Sequence, residues 1–175
     1  MVAKLRQFVP NSRQRIDAIK HVVYEYGNLL SAGHCSISGD APWRTHCDDA
    51  FLLGCRKLDD FLMKTTRSKQ RSQRGVQELD DVLAMDYLSP NSPRNWDLPL
   101  WAAEWRVPMN KQLAHIAYFR DKEWDHRIWV PKLEQEFRKA WSDFRSSIID
   151  DDYNREFDKR LDACRCKTGF GILGL

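Results

Sequence analysis

Apolar residues that recur at steps of three and four residues are the feature of this sequence that most constrains its fold, because that spacing gathers them on one face of an α-helix. The longest such line follows Pro131 and comprises Leu133, Phe137, Trp141, Phe144 and Ile148. Proline is tolerated in the first turn of a helix, so Pro131 is expected to open this one. An apolar face of this length must be covered by other elements of the chain.

Two more helices are predicted in the first third of the chain. The triplet Pro10-Asn11-Ser12 combines a rigid residue with two good capping side chains and precedes a second apolar line. That line comprises Ile16, Ile19, Val23, Tyr26 and Leu30. The helix is expected to stop between residues 31 and 42, which contain the breakers Gly33, Gly39 and Pro42. The next helix is predicted from roughly Trp43 to Met63.

The remaining segments continue the helical pattern. Residues 76–88 form a shorter amphipathic stretch, the pattern resumes at Leu98 with a break at Pro108, and the aspartates at 150–152 suit the start of a last helix. Apolar and polar residues nowhere alternate long enough to predict a strand. We therefore predict an all-α fold, a single helical domain over 1–175 built as a bundle of five to six helices. A basic loop is expected at about 64–76, and a tail at 167–175 either docks on the bundle or frays.

Hydropathy and cysteine usage predict the cellular compartment of the protein. The longest apolar run has only three or four residues, so no membrane span is predicted, and charges near the N-terminus interrupt any signal peptide. The five cysteines are scattered and odd in number, which is typical of reduced thiols rather than of a disulfide framework. Together these features predict a cytoplasmic protein.

Positive charge is concentrated in one segment. Residues 64–74 contain five cations and no acid, which exceeds the net charge of +3 for the whole chain. The five are Lys64, Arg67, Lys69, Arg71 and Arg74. Such a segment would attract a phosphate backbone without reading its sequence, so these residues are candidate nucleic-acid contacts. The alternative is a solvated loop or a ragged extension of the second helix.

His115 lies in a stretch that is predicted to be helical. Met109, Leu113, Ile116 and Ala117 share its apolar face. His115 lies about 200° from Leu113 around the helix axis, so it points away from that face. Its own line holds Lys111. This line is either a solvated surface or one wall of a polar groove or subunit contact.

The segment NKQLAH, residues 110–115, resembles the RNxxAH-like stretch in the penultimate helix of HEPN domains, which are all-α domains common in bacterial toxins and abortive-infection proteins. The layout RKLDDF at 56–61, DDVLAMDY at 80–87 and then NKQLAH is also similar to that of a set of uncharacterised bacterial helical proteins, so the resemblance covers about 45–145. Active HEPN domains are metal-independent ribonucleases with an Arg-x4-6-His motif, usually assembled across a dimer. The resemblance thus implies a homodimer without cofactor or metal that acts on RNA.

The resemblance also implies roles for particular residues. His115 would be the general acid or base that moves the proton of the RNA 2′-hydroxyl or of the leaving oxygen. Asn110 stands where the family has Arg, so Asn110 and Lys111 would contact phosphate, and Arg56 or Arg120 would supply the missing positive charge. The alternative function is a catalytically inactive interaction module that dimerises or binds an antitoxin through the His115 face.

Other patterns carry less weight. Arg15 to His21 and Arg120 to His126 also fit the motif spacing, but a chain of this composition contains roughly one or two such pairs by chance, and His21 is interpreted as a structural or surface residue. The pairs His34-Cys35 and His46-Cys47 offer four zinc ligands, yet adjacent ligands point in different directions, so no metal site is predicted. Phosphate-binding glycine loops and hydrolase motifs do not occur in the sequence.

Overall fold

Four α-helices dominate the computed structural model, which describes residues 5–39, 43–72, 75–90, 92–98 and 126–168. They are α1 (Ser12–Ser38), α2 (Trp43–Met63), α3 (His126–Ser147) and α4 (Asp151–Thr168), and a 3-10 helix spans Ala84–Tyr87. The helical architecture is therefore confirmed. The predicted count of five to six is not, and the helices expected between residues 99 and 125, including the one that carries His115, fall outside the described residues.

A small sheet beside the helices was not predicted. It consists of β1 (Leu5–Arg6), β2 (Lys69–Ser72) and β3 (Gly75–Glu78) in the order β1-β3-β2. β2 and β3 pair antiparallel, and β1 pairs parallel to β3 with Leu5 opposite Val76. Residues 64–68 form no helix or strand, as expected for a loop, whereas the prediction was wrong for residues 69–72 and 75–76, which lie in strands. The strands are short and mostly polar, so they lack the alternation that indicates a strand.

Helix α1 begins and ends where it was predicted, because it spans Ser12–Ser38, stops within residues 31–42 and has Gly39 as its C-cap. The Asn11 side chain accepts a hydrogen bond from the Gln14 backbone N–H, and the Gln14 side chain accepts one from Asn11 N–H, which is a complete capping box. Gly33, one of the three residues named as breakers, lies inside the helix and does not interrupt it. Gly33 instead lets α2 and α3 approach: a Cβ there would lie 3.1 Å from the Phe51 ring and 2.7 Å from the Glu134 carboxylate.

The core is built around α1, which contacts each of the other three helices. The Tyr26 ring stacks on Trp141 of α3 with centroids 4.1 Å apart. A group of edge-to-face aromatic contacts continues the core, and its members are Phe61, Tyr87, Trp96, Phe144, Tyr153 and Phe157. All five residues of the apolar line after Pro131 are buried, as predicted. Burial of these large side chains supplies most of the stabilisation of the bundle.

Helices α3 and α4 begin in different ways. α3 begins at His126, so Pro131 lies inside it and does not open it as predicted. α4 follows the predicted pattern: the Asp150 carboxylate accepts hydrogen bonds from the backbone N–H groups of Asp152 and Tyr153, at 2.8 and 3.2 Å. None of the described helices is long and apolar enough to cross a membrane.

Two of the five cysteines are bonded to each other. Cys35 near the end of α1 and Cys47 near the start of α2 form a disulfide with their Cα atoms 5.8 Å apart. The prediction of reduced thiols was therefore wrong for this pair, because the antiparallel packing of α1 on α2 brings together two cysteines that spacing alone does not connect. Cys55 is a free thiol in the core, and burial raises its pKa well above the ordinary value.

Candidate functional site

A cleft of about 270 Å³ lies between the N-terminal half of α1 and the segment 80–87. We call it the α1 cleft. Its walls combine cations, carboxylates, an imidazole and aromatic rings, which is the kind of mixture that binding sites use. The lining residues are Phe8, Pro10, Gln14, Arg15, Asp17, Ala18, Lys20, His21, Asp80, Asp81, Val82, Asp86 and Tyr87.

The first wall of the α1 cleft carries Arg15, Lys20 and His21. Arg15 and His21 are six residues apart on one helix, a rise of roughly 9 Å along its axis, and both line the cleft. Arg15 is half-buried, and its Nε has no hydrogen-bond partner within the described ranges. Lys20 and His21 are exposed. This wall thus presents a guanidinium, an ammonium group and an imidazole.

The opposite wall holds two carboxylates that contacts within the protein keep in place. Asp81 Oδ2 accepts a hydrogen bond from the Ser68 backbone N–H at 2.9 Å, and hydrogen bonds from Ser68 lower the pKa of this carboxyl. Asp86 forms an ion pair with Arg67 at 2.5 Å and also accepts a hydrogen bond from Leu83 N–H at 2.9 Å. These contacts hold both carboxylates in the wall of the cleft.

Tyr87 joins the two walls. Its hydroxyl donates a hydrogen bond to the backbone carbonyl of Arg15 at 3.0 Å, across 72 residues of sequence. Burial raises the pKa of Tyr87 far above its ordinary value, with a further contribution from Asp86. The phenol therefore remains a hydrogen-bond donor, and it holds this part of α1 at a fixed distance from the segment 80–87.

Phe8 forms the apolar edge of the α1 cleft. The guanidinium of Arg67 lies 5.3 Å from the centre of its ring, which is a cation–π contact. The Phe8 backbone N–H donates to the Glu78 carboxylate at 3.3 Å, so the segment before α1 is tied to β3. A ligand in this cleft would thus meet a helix wall with two cations and an imidazole, a wall with carboxylates and an aromatic edge.

Of the residues proposed from the family resemblance, the structure describes Arg56. His115, Asn110, Lys111 and Arg120 all lie outside the described residues. Arg56 is exposed on α2 and is not a lining residue of the α1 cleft. Their catalytic roles therefore stay predictions.

The basic segment has no uniform role. Lys64 pairs with Asp60 at 3.1 Å, and Arg67 is nearly buried against Asp86, with only 12% of its side chain exposed. Lys69 is exposed at the start of β2, and Arg71 also lies in that strand. Arg74 lies outside the described residues. Of the cations whose side chains are described, Lys69 is thus the most available to a nucleic-acid backbone.

Metal ligands do not converge in the described part of the chain, where no group of three or more His, Cys, Asp or Glu side chains could hold a metal ion. The zinc arrangement considered for His34-Cys35 and His46-Cys47 needs two thiolates. In the structure, both sulfurs are used in the disulfide.

The sequence contained only a weak signal for the α1 cleft. Arg15 and His21 were visible as a motif match, but spacing along one helix does not indicate whether two residues face a cavity. The other wall comes from residues 59 or more positions further along the chain (Asp80 against His21, 80 − 21), and no pattern in the sequence connects them. No known protein family, curated protein or solved structure matches this chain.

Proposed function

We propose that this chain is a HEPN-like protein of the abortive-infection or toxin–antitoxin type, a cytoplasmic homodimer that cleaves RNA without a metal ion. One observation carries the choice of site: Arg15 and His21, which fit the Arg-x4-6-His spacing, line the same cleft. The spacing alone is expected by chance, whereas a shared cleft is an independent requirement for two groups that act on one phosphate.

The chemistry of the proposed site divides between these two residues. The Arg15 guanidinium would hold the phosphate and the charge that develops on it, and its Nε has no hydrogen-bond partner within the described residues. His21 would act as the general acid or base for the 2′-hydroxyl or the leaving oxygen. Phe8 offers a face on which one base could stack.

His115 is the second assignment for the same reaction. It rests on the resemblance of NKQLAH to the family's stretch, with Asn110 and Lys111 as phosphate contacts and Arg56 or Arg120 as the cation. The two assignments differ in which imidazole is essential, so substitution separates them.

The deciding experiment measures cleavage of a labelled RNA that contains single-stranded and hairpin regions, in EDTA, with His21→Ala, His115→Ala and wild type. We expect His21→Ala to slow cleavage by about a hundredfold or more, because it removes the proton-transfer group. His46→Ala is the matched control, since His46 is exposed at the start of α2 and does not line the cleft, and it should leave the rate unchanged.

Each outcome of this experiment either identifies the histidine that is essential for cleavage or refutes the activity. Loss in His115→Ala together with full activity in His21→Ala would move the active site to the family stretch. Wild type that cleaves no RNA, with intact helical circular dichroism, would refute the ribonuclease proposal.

A catalytically silent interaction module is the second candidate, and the acidic rim of the α1 cleft favours it. Asp17 and Asp80 are exposed beside Arg15 and Lys20, and exposed carboxylates repel RNA but attract a basic protein segment. This candidate predicts that a lysine-rich peptide, as a stand-in for an antitoxin segment, binds wild type and binds Asp80→Asn several-fold more weakly. Equal binding of the peptide to wild type and to Asp80→Asn would contradict this second candidate function.

A further inference from the structure

The disulfide between Cys35 and Cys47 joins two helices that other contacts already hold together. Next to the bond, the buried Ser36 hydroxyl donates a hydrogen bond to the Asp48 carboxylate. Further along the same interface, Gly54 of α2 packs closely on α1, where its Cβ position would lie 3.1 Å from that of Leu29. The helix pair therefore does not depend on the disulfide, and a reduced pair of thiols would stay close together.

Both sulfurs belong to residues that are only partly buried. Cys35 and Cys47 are of intermediate exposure, whereas Cys55, eight residues beyond Cys47 on α2, is fully buried. Because thiol–disulfide exchange needs access to the sulfur, the pair is better placed than Cys55 to react with a small reagent. Burial also raises the pKa of the Cys55 thiol, which makes that thiol a poor nucleophile.

A positive charge lies at the junction between the two helices. Arg44, in the first turn of α2, donates two hydrogen bonds to the Gly39 carbonyl, at 2.8 and 3.2 Å. Gly39 is packed against Cys35, with its Cβ position 3.4 Å from the Cys35 sulfur. The Arg44 side chain thus ties the end of α1 to the first turn of α2 beside the disulfide.

From these contacts we propose that Cys35 and Cys47 form a reversible thiol–disulfide pair, which exchanges with small-molecule disulfides and clamps the junction of α1 and α2 while both helices remain folded. One cysteine thiolate attacks a sulfur of the small disulfide, forms a mixed disulfide and releases one thiol. The second thiolate then attacks the protein sulfur of the mixed disulfide and releases the other thiol. Two electrons pass to the small disulfide, and the two released thiols carry the two protons.

The test equilibrates the full chain in buffers with different ratios of reduced to oxidised glutathione, approached from both the reduced and the oxidised protein. After acid quenching and alkylation, mass spectrometry measures the fraction of chains with the Cys35–Cys47 link. We expect this fraction to change from near zero to near one across the series, with the same curve from both directions and unchanged helical circular dichroism. Cys55 should remain unmodified in the folded protein throughout.

Three results would overturn the proposal: a link that persists at the reducing limit, a link that never forms at the oxidising limit, or a link whose loss coincides with loss of helical signal. Single variants provide a second test. Cys35→Ser and Cys47→Ser should each take up one glutathione on the remaining cysteine of the pair, and variants that take up none would show that the sulfurs are inaccessible.

The clamp is tested by amide hydrogen exchange in the two redox forms. Faster exchange in the reduced form at residues 36–39 and 43–48, with no change at residues 12–21, supports a local effect of the bond. Identical exchange in both forms would refute the clamp. Residues 12–21 carry the proposed catalytic groups. Because hydrogen exchange is measured on the protein without RNA, this test of the clamp does not depend on whether the chain cleaves RNA.

Discussion

Gly33 has no side chain, and its absence allows close packing of three helices at the centre of this bundle. The residue is buried in α1 at the point where Phe51 of α2 and Glu134 of α3 approach the helix. A methyl group there would be 3.1 Å from a fully buried aromatic ring. Because that ring is fully buried in the hydrophobic core, the added atom is expected to shift packed side chains or backbone.

Gly33→Ala is therefore expected to lower the free energy of unfolding by about 1–3 kcal/mol, although alanine is the better helix former. Urea denaturation followed by circular dichroism measures the change. Gly27→Ala is the matched control, because Gly27 lies on the same helix and nothing stands within 4 Å of its Cβ position. That control should raise stability by up to about 1 kcal/mol, and equal effects of the two substitutions would contradict the packing argument.

The structural role of a residue could be predicted from the sequence where its interactions are local. Asn11 and Asp150 were predicted near helix starts because a cap needs only residues within one turn. Gly33 was misjudged as a breaker because its role depends on two residues that are distant in sequence. Cys35 and Cys47 were misjudged for the same reason: a disulfide depends on how two helices pack.

Between elements, the connection of α3 to α4 depends on Arg145. Its guanidinium donates to the Asn154 side chain at 3.0 Å and to the Asn154 carbonyl at 3.3 Å, and it lies 4.6 Å from the centre of the Phe157 ring. Its contact with Asp158 at 2.7 Å contributes less, since the carboxylate of Asp158 is 68% exposed. The side chain thus links the end of one helix to the first turns of the next.

We expect Arg145→Leu to destabilise the protein by about 1–3 kcal/mol, because it removes hydrogen bonds to a partly buried amide and leaves these groups without their donor. Thermal and urea unfolding measure the effect. Arg155→Leu on α4 is the comparison, since among the described residues Arg155 pairs with Asp152 alone and both side chains are mostly exposed. A loss in Arg155→Leu as large as that in Arg145→Leu would show that general charge removal, and not the helix junction, is responsible.

The elements that were predicted correctly are those whose apolar spacing is strong. α2 and the buried face of α3 follow from spacing alone, because a long amphipathic pattern has one stable solution in a bundle. The hairpin of β2 and β3 was missed because its strands are short and mostly polar. Backbone pairing holds the strands together, and β1, which lies near residue 5, pairs with β3 in the same sheet. Such pairing leaves no periodic signal in the side chains.

At the scale of the whole molecule, the α1 cleft exists because distant segments meet. Phe8 is tied to Glu78, and Tyr87 is tied to Arg15, so the N-terminal segment and the segment 80–87 are fixed on the same side of α1. Each contact spans about 70 residues of sequence. A site assembled in this way cannot be predicted from spacing, although its members Arg15 and His21 could be identified as a pair.

The distribution of charge around the molecule gives a prediction that separates the basic segment from the cleft. Arg67 is nearly buried in its pair with Asp86, so it cannot release counterions from RNA, whereas Lys69 is exposed. If RNA binds along the exposed side of β2, Lys69→Gln should weaken binding at low salt. It should also reduce the slope of log Kd against log salt concentration by about 0.7, the value for one single-strand phosphate contact. Fluorescence anisotropy with a labelled single-stranded RNA at several salt concentrations measures this slope.

Lys139→Gln is the control, since Lys139 is 68% exposed on α3 and pairs with Asp143. Equal slopes for wild type and Lys69→Gln would exclude β2 from the RNA path and leave Arg15 and Lys20 of the α1 cleft as the cations to examine.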